Sequence, residues 1–189
     1  MGRKTDVSVV NGKITEMRVD AIVSPGNTMM LMDDNEISLQ VYCEAGPGLL
    51  HECWQIPFDK NGERCGVSEA RLTLGHGLEA EYILHTVVPR YEKDGEVMYL
   101  AWLRSCYLSI FDLARTRGLR ILALPARLSP IINDCPLQKT SKIAIEALYD
   151  FLAEHPGVFD KIIFVATDEE VEGVYRALLS TTVFPEREI

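Results

Sequence analysis

The chain has 189 residues, of which 47% are hydrophobic and 25% are charged. These fractions are typical of a globular protein and exclude a disordered, collagen-like or low-complexity chain. The 19 basic and 28 acidic residues give a formal net charge of −9. This balance argues against nucleic acid as a partner, because nucleic-acid-binding surfaces are strongly basic.

Strand-like and helix-like segments alternate along the whole chain. Short runs rich in β-branched residues predict strands, and apolar residues spaced three and four apart predict helices. In chain order the predicted elements are strands at 7–10 and 21–23, helices at 38–44 and 49–55, strands at 71–74 and 82–88, a helix at 96–117, a strand at 120–124, a helix at 137–154, a strand at 161–166 and a helix from about 168. Asp168 suits the N-cap of that last helix.

Strands that alternate with crossover helices predict an α/β protein, with three α/β/α layers and a central mixed sheet. No linker, repeat or low-complexity segment divides the sequence. We therefore expect a single domain over residues 1–189, with its core at about 7–180.

The cysteines and the N-terminus favour a cytoplasmic location. The five cysteines form no CxxC pair and leave one over, which favours unpaired thiols in a reducing compartment over a zinc site or a disulfide framework. The N-terminus lacks the hydrophobic region of a signal peptide. The longest apolar runs, such as 162–166, are too short to span a bilayer, so no membrane is expected as a partner.

Two long loops follow predicted strands and are the candidate binding loops. The first contains residues 24–36 and the second contains residues 125–136. In open α/β sheets, ligands bind in loops at the carboxyl ends of the strands. Long loops in compact domains are also often functional.

Several motifs, in their order along the chain, resemble those of the macro domain family. Residues 11–15 (NGKIT) resemble the family's G-D-I-T, and residues 19–27 (VDAIVSPGN) resemble V-D-A-I-V-N-A-A-N. Residues 45–53 match the helix pair after the first loop, and residues 85–89 (HTVVP) match H-T-V-x-P. The resemblance covers about residues 7–179. It implies a macro-like three-layer α/β/α domain that binds ADP-ribose or hydrolyses it from proteins.

The departures from the family pattern cluster in the two loops. Residues 32–36 (MDDNE) replace a glycine run, so side chains block a close approach of backbone N–H groups and three carboxylates repel a pyrophosphate. The second loop has Ser129 and Pro130 in place of S-x-G-x-x-G, and proline has no N–H to donate. Lys13 replaces the Asp that reads adenine, and an ammonium only donates hydrogen bonds. Ser38 aligns with an Asp implicated in hydrolysis in some members.

The candidate site residues lie in these loops and at the start of the last helix. The resemblance implies that Asn27 contacts a ribose. The candidate ligand-binding residues are Asn27, Ile37, Ser129, Ile131, Asn133 and Asp168, and the candidate catalytic carboxylates are Asp34 and Asp134. No metal ligand is assigned and no cofactor is expected, although Asp33, Asp34 and Glu36 carry the oxygen ligands that Mg²⁺ prefers.

Several of these candidates also have a structural interpretation. Asn27 can bond to the backbone of its own loop, and Asp134 can cap the following helix. The acidic run can be a solvated loop. His85 lies in an apolar strand and is predicted to be a core histidine rather than a base. Cys135, at a helix N-terminus, could be a reactive thiolate, but an inert thiol is favoured.

The aromatic and methionine residues are first interpreted as packing residues. Trp54, Trp102 and Tyr107 are predicted to pack in the interior. Residues 29–32 (MMLM) form either an apolar wall for a ligand or partner, or a flap over the core.

Three functions remain open from the sequence. The favoured one is binding of an ADP-ribose-like or other nucleotide-sugar ligand between the two loops. The second is hydrolysis of an ADP-ribosyl or related phospho-sugar linkage by the loop carboxylates, with Mg²⁺ as a possible aid. The third is a macro-like domain that has lost the ligand and acts as an interaction or assembly module, with a protein partner or a second copy of itself.

Overall fold

A computed structural model describes residues 4–32, 35–91, 95–128 and 135–181. In this part of the chain the strands are β1 (Asp6–Asn11), β2 (Ala21–Pro25), β3 (Ala70–Leu74), β4 (Tyr82–Thr86), β5 (Ile121–Pro125) and β6 (Lys161–Ala166). The helices are α1 (Glu36–Ala45), α2 (Pro47–Gln55), α3 (Glu96–Thr116), α4 (Leu137–Glu154) and α5 (Glu169–Thr181). A short 3-10 helix, Ile14–Glu16, follows β1 and was not predicted.

The strands form one sheet in the order β1-β6-β5-β2-β4-β3. All neighbouring pairs are parallel except that β3 runs antiparallel to β4 at one edge. The five parallel strands therefore end at the same side of the sheet, which we call its carboxyl side. The loops that follow these strands come together there.

Helices cover both faces of the sheet. On one face, here called the aromatic face, α3, α4 and α5 bury a cluster rich in rings, which includes Tyr107, Phe111, Phe151, Phe159, Phe164 and Tyr175. On the opposite face, here called the polar face, α1 and α2 bury aliphatic residues together with Cys53 and Cys65. His85 is buried on the polar face, with its ring 6.3 Å from that of Tyr42. The predicted three-layer α/β/α arrangement with a mixed sheet is confirmed.

Helix α3 has 21 residues, and an 18-residue window within it has a mean hydropathy of 1.2, so by length and composition alone it could cross a membrane. Core helices of soluble proteins pass the same test, so this finding does not overturn the expectation that no membrane is a partner. One side of α3, including Leu103, Tyr107 and Phe111, is buried against the sheet and its neighbouring helices. We interpret α3 as a core helix, whose composition follows from this burial.

The tryptophans correct another expectation. Tyr107 is buried, as predicted, but the side chains of Trp54 and Trp102 are 56% and 45% exposed. Each tryptophan directly follows or precedes a buried residue of its helix, Cys53 in α2 and Leu103 in α3. Successive residues of an α-helix point about 100° apart, so the neighbour of a buried residue turns towards solvent.

Candidate functional site

A cleft opens at the carboxyl side of the sheet, between the ends of β1, β5 and β6 and the N-terminus of α1. It consists of two adjoining cavities, a wide one of about 530 Å³ and a narrow one of about 100 Å³. The residues shared by both cavities are Glu36, Ile37, Pro125, Val165 and Thr167. The cleft therefore lies where the topology of an open α/β sheet places ligands.

The wide cavity combines apolar walls with a polar border. Ile14, Ile37 and Leu39 form much of its apolar surface, and Lys13 and Gln40 contribute polar groups. The Lys13 side chain is 61% exposed, and its Nζ lies 3.6 Å from Glu16 Oε1. A flat ring with a polar edge fits such a surface, because the walls bury its faces and the border meets its edge.

The narrow cavity is bordered by Arg127 and Asp168. Asp168 Oδ1 accepts a hydrogen bond of 2.8 Å from the Val171 N–H, so the predicted N-cap of α5 is confirmed. The same carboxylate lines the cleft, which is where a ligand-binding role requires it to be. Arg127 was not identified from the sequence, because a single arginine after a strand carries no motif.

The charged residues of the cleft balance one another within the described residues. The positively charged residues are Lys13 and Arg127, and the negatively charged residues are Glu36 and Asp168. The acidic run predicted a strongly negative cleft, but of that run only Asn35 and Glu36 have described positions beyond Met32. A phosphate-bearing ligand therefore meets two cations as well as two carboxylates here.

The side chain of Asn35 caps the N-terminus of α1. Asn35 Oδ1 accepts hydrogen bonds from the N–H groups of Ile37 at 2.9 Å and Ser38 at 3.1 Å. These donors point towards the cleft end of the helix and would otherwise be available to an anion. The sequence predicted that side chains in this segment block a close approach of backbone N–H groups, but it did not show that Asn35 itself satisfies these donors.

The side chain of Asn27 organises the first loop. Its Oδ1 accepts from the N–H groups of Met29 at 3.1 Å and Leu31 at 3.3 Å, and its Nδ2 donates to the Leu31 carbonyl at 2.8 Å. Asn27 was predicted either to contact a ribose or to bond to the backbone of its own loop, and the structure shows the bonds to the loop. Asn27 does not line either cavity of the cleft, so its contact with a ribose stays a prediction.

Arg64 holds the first loop from the other side. Its guanidinium donates to the carbonyls of Ile56 at 3.2 Å, Trp54 at 3.4 Å and Met29 at 3.5 Å. It also lies over the ring of Phe58, 4.1 Å from the ring centre. The methionine run is accordingly split, with Met30 buried and Met29 and Met32 exposed on the surface.

Comparison with known proteins identifies the family. The macro domain family model matches residues 23–144, which is more than half of the chain. The chain belongs to the macro domain family. This macro domain is 32% identical over 173 residues to the ADP-ribose glycohydrolase MACROD1 of Bos taurus, covering 92% of the chain but 51% of the relative.

Two further matches cover more of the related protein. An O-acetyl-ADP-ribose deacetylase of Escherichia fergusonii is 32% identical over 177 residues, covering 94% of the chain and 97% of that relative. The crystal structure of a Trypanosoma brucei macrodomain in complex with ADP-ribose superposes with a TM-score of 0.79 at 32% identity, over 92% of the chain and 68% of that structure. The chain thus spans about half the length of the mammalian relative and nearly all of the bacterial one.

The two residues that were considered as a base and as a reactive thiolate, His85 and Cys135, are both unreactive in this macro domain. His85 is 5% exposed, its Nε2 lies 2.9 Å from Thr73 Oγ1, and burial lowers its pKa to about 4, so it is a neutral core histidine as predicted. Cys135 is half-buried, and this burial, followed by the charge of Glu96, raises the pKa of its thiol. The predicted inert thiol is therefore favoured over a reactive thiolate.

Ser38 is fully buried, and no hydrogen-bond partner for its Oγ is found among the described atoms. It stands where the resemblance placed an acidic residue, so that position supplies neither a charge nor a surface to this cleft.

Several predicted site residues lie outside the described residues. These are Asp33, Asp34, Ser129, Ile131, Asn133 and Asp134, so their roles stay predictions. The described ranges contain no group of three histidine, cysteine or acidic residues that could hold a metal ion. Ile37, by contrast, lines both cavities, and its role in ligand binding stays a prediction.

Proposed function

We propose that this macro domain binds ADP-ribose or a closely related nucleotide diphosphosugar in the cleft. The observation that carries the proposal is the pair of adjoining cavities at the carboxyl side of the sheet, one wide and mostly apolar, the other narrow and lined by Arg127 together with the carboxylates of Glu36 and Asp168. A nucleotide sugar has the matching form, with a flat base at one end and charged phosphates beyond it. The named ligands of the related proteins support the same class.

In this proposal the base lies in the wide cavity and the phosphates lie towards Arg127. Ile14, Ile37 and Leu39 bury the faces of the base. Arg127 pairs with a phosphate oxygen, because a guanidinium offers several donors in a fixed geometry. The α1 donors held by Asn35 are not offered to the phosphates unless that side chain moves. We therefore expect weaker binding than a cleft with open donors would give.

We include hydrolysis of an ADP-ribosyl linkage as the finer part of this proposal. The names of two relatives, an ADP-ribose glycohydrolase and an O-acetyl-ADP-ribose deacetylase, support it. Asp34 and Asp134 are the proposed catalytic carboxylates, and Glu36 at the junction of the cavities is a third carboxylate within reach of a ligand. If hydrolysis uses Mg²⁺, the carboxylates of Asp33, Asp34 and Glu36 would hold the ion.

The second candidate function is an interaction or assembly module without the ligand. The closed α1 N-terminus favours it, because the donors a diphosphate needs are already satisfied. Its partner would be another protein or a second copy of the chain. We also propose a cytoplasmic location, supported by five cysteines that are all free thiols.

The test is calorimetric titration of the protein with ADP-ribose, with and without Mg²⁺, beside a thermal melt. At a concentration about 100 times the dissociation constant, the ligand should add roughly 2.7 kcal/mol of stability. Thr167→Trp fills the cleft that Thr167 lines in both cavities and should abolish the heat. Thr116→Trp, at the exposed C-terminus of α3 near the opposite side of the sheet, is the matched control and should leave the heat unchanged.

The outcomes separate the candidates. Heat without metal supports binding by the cleft alone, and heat only with Mg²⁺ supports the carboxylate-metal form of the hydrolase. Release of ADP-ribose from a mono-ADP-ribosylated protein, lost in Asp34→Asn with the melt unchanged, supports hydrolysis. No heat and no shift in either buffer rejects the ligand proposal and leaves the interaction module.

A further inference from the structure

A second concave surface lies away from the cleft, where the N-terminal half of α3 faces the segment after β4. This surface, here called the Trp102 groove, encloses about 500 Å³. Its apolar lining consists of Val67, Pro89, Met98 and Trp102. It shares no lining residue with either cavity of the cleft, so it is a separate site rather than an extension of the ligand cleft.

The groove collects large apolar side chains that face solvent. Met98 is 58% exposed, Val67 is 46% exposed and Trp102 is 45% exposed. A single exposed apolar residue is ordinary, but several that line one concavity indicate a surface that another molecule covers. Tryptophan and methionine are also enriched at the centres of protein interfaces.

The floor of the groove is held in a fixed shape by Ser68. Its φ of 64° lies in the left-handed region, which is uncommon for a residue other than glycine. Its N–H donates to the Val87 carbonyl at 2.9 Å, and its Oγ donates to the Trp102 carbonyl at 3.0 Å. Ser109 Oγ donates to the Ser68 carbonyl at 2.8 Å. These three bonds hold Ser68 in its strained conformation and fix the backbone on either side of the groove.

Among the described residues, one end of the groove carries a single cation. Arg90 is exposed at this end, beside Gly95, the N-cap of α3, and no side chain within the described residues caps the first N–H groups of the helix. Glu96, the first residue of α3, is engaged by Lys139 Nζ at 2.6 Å and by the Tyr91 hydroxyl at 3.3 Å. Apolar walls with a cation at one end complement a segment that carries an apolar side chain next to an acid.

We propose that the Trp102 groove binds an extended segment of a partner protein in which an apolar side chain stands next to a carboxylate. The apolar side chain packs between Met98 and Trp102, and the carboxylate pairs with Arg90. A volume of about 500 Å³ accommodates a few side chains, which fits a short linear segment rather than a whole domain. This binding is independent of whether the cleft holds ADP-ribose.

The probe is a panel of tetrapeptides with an acetylated N-terminus and an amidated C-terminus, in which leucine, methionine, phenylalanine or tryptophan stands beside aspartate or glutamate, with glycine before the pair and serine after it. Each has a matched peptide with the amide in place of the acid. Binding is followed by NMR of the ¹⁵N-labelled full chain, in which the indole N–H of Trp102 reports directly. We expect saturable shifts confined to the groove, with the amide peptides about three- to fivefold weaker.

Three variants decide the assignment. Arg90→Gln should reduce the affinity for the acidic peptides to that for the amide peptides, without changing the latter. Met98→Ser should abolish both. Val97→Ser is the matched control, because Val97 is 85% exposed on the same turn and does not line the groove. It should bind as the parent does.

The proposal fails if no member of the panel shifts the groove resonances at millimolar concentration. It fails equally if Arg90→Gln does not abolish the preference for the acid. Shifts that appear on raising the protein concentration alone, with a doubled mass in light scattering, would assign the groove to a second copy of the chain and overturn the partner segment.

Discussion

The two faces of the sheet are built from different chemistry. The aromatic face is filled by rings in mutual contact, with Phe111 5.6 Å from Phe151 and 6.0 Å from Phe159 between ring centres. The polar face buries a histidine and thiols, and its helix α1 begins at the cleft. Both faces nevertheless reach the cleft, the polar face through the N-terminus of α1 and the aromatic face through Asp168 and Val171 at the N-terminus of α5, so the difference between them lies in the groups that they bury.

The largest effect should come from the aromatic face. Phe111 is fully buried, so Phe111→Ala leaves a cavity among three rings and should lower the free energy of unfolding by about 3–5 kcal/mol. Leu49 is equally buried on the polar face, and Leu49→Ala should cost about 2–5 kcal/mol. Urea unfolding measures both. A larger loss for Leu49→Ala than for Phe111→Ala would reverse the comparison.

The polar face should make stability depend on pH. The pKa of His85 is about 4 in the folded protein and about 6.5 in the unfolded chain, so between these values the unfolded state binds the extra proton. Stability is therefore retained above pH 6.5 and falls as the pH drops towards 4. For this group alone, the loss from pH 7 to pH 5 is about 2 kcal/mol.

The measurement is urea unfolding at both pH values. His85→Gln should show a smaller loss between pH 7 and pH 5 than the parent, whatever its overall stability. The exposed His51, changed to Gln, should keep the parent's dependence. An undiminished loss in His85→Gln would show that carboxylates elsewhere, not the buried histidine, govern the acid limb.

The cap of α1 links the polar face to the cleft. Asn35→Ala removes the acceptor and should lower the free energy of unfolding by about 1 kcal/mol, whereas Asn35→Gly should cost only a few tenths. Both release the N–H groups of Ile37 and Ser38. We expect Asn35→Gly to raise the affinity for ADP-ribose about 2- to 10-fold, measured by calorimetry. Unchanged affinity would mean that the ligand does not reach these donors.

The smallest effect should come from Asp168. Asp168→Asn keeps an acceptor for the Val171 N–H, since asparagine is as good an N-cap as aspartate, but it removes a negative charge from the narrow cavity. Affinity for ADP-ribose should rise about two- to fivefold at low salt and less at high salt. Asp150→Asn, which changes an exposed carboxylate of α4, should have no effect. A loss of affinity would instead assign Asp168 a direct bond to a ligand hydroxyl.

The fold could be predicted from the sequence because its signals are local. Each strand and helix carries its own periodicity, and the boundaries differ by only a few residues, as in α1, which begins at Glu36 rather than at residue 38. The cap at Asp168 was predictable for the same reason. The antiparallel direction of β3 was not specified, because pairing at a sheet edge is decided by packing rather than by the segment itself.

The site was predicted less completely because its geometry is non-local. Arg64 lies 35 residues from Met29, whose carbonyl it binds, and no spacing rule connects them. Trp102 and Arg90 form one groove only when the segment after β4 folds against α3, so neither residue marks a site in the sequence alone. The sequence showed that Asn35 stands in place of a glycine. Whether its side chain satisfies the N–H groups of α1, however, depends on the direction of its Oδ1.

Because Asn35 caps α1, a ligand that is to bind the first N–H groups of this helix must replace the Asn35 side chain there. The amide oxygen of Asn35 already occupies the place of an incoming acceptor at two N–H groups. A ligand gains these donors only by displacing that oxygen, so its own acceptor must bind them more strongly than a neutral amide does. Charged phosphate oxygens meet this condition and uncharged sugars do not. At these two N–H groups, the cap should therefore favour a charged phosphate oxygen over a neutral acceptor.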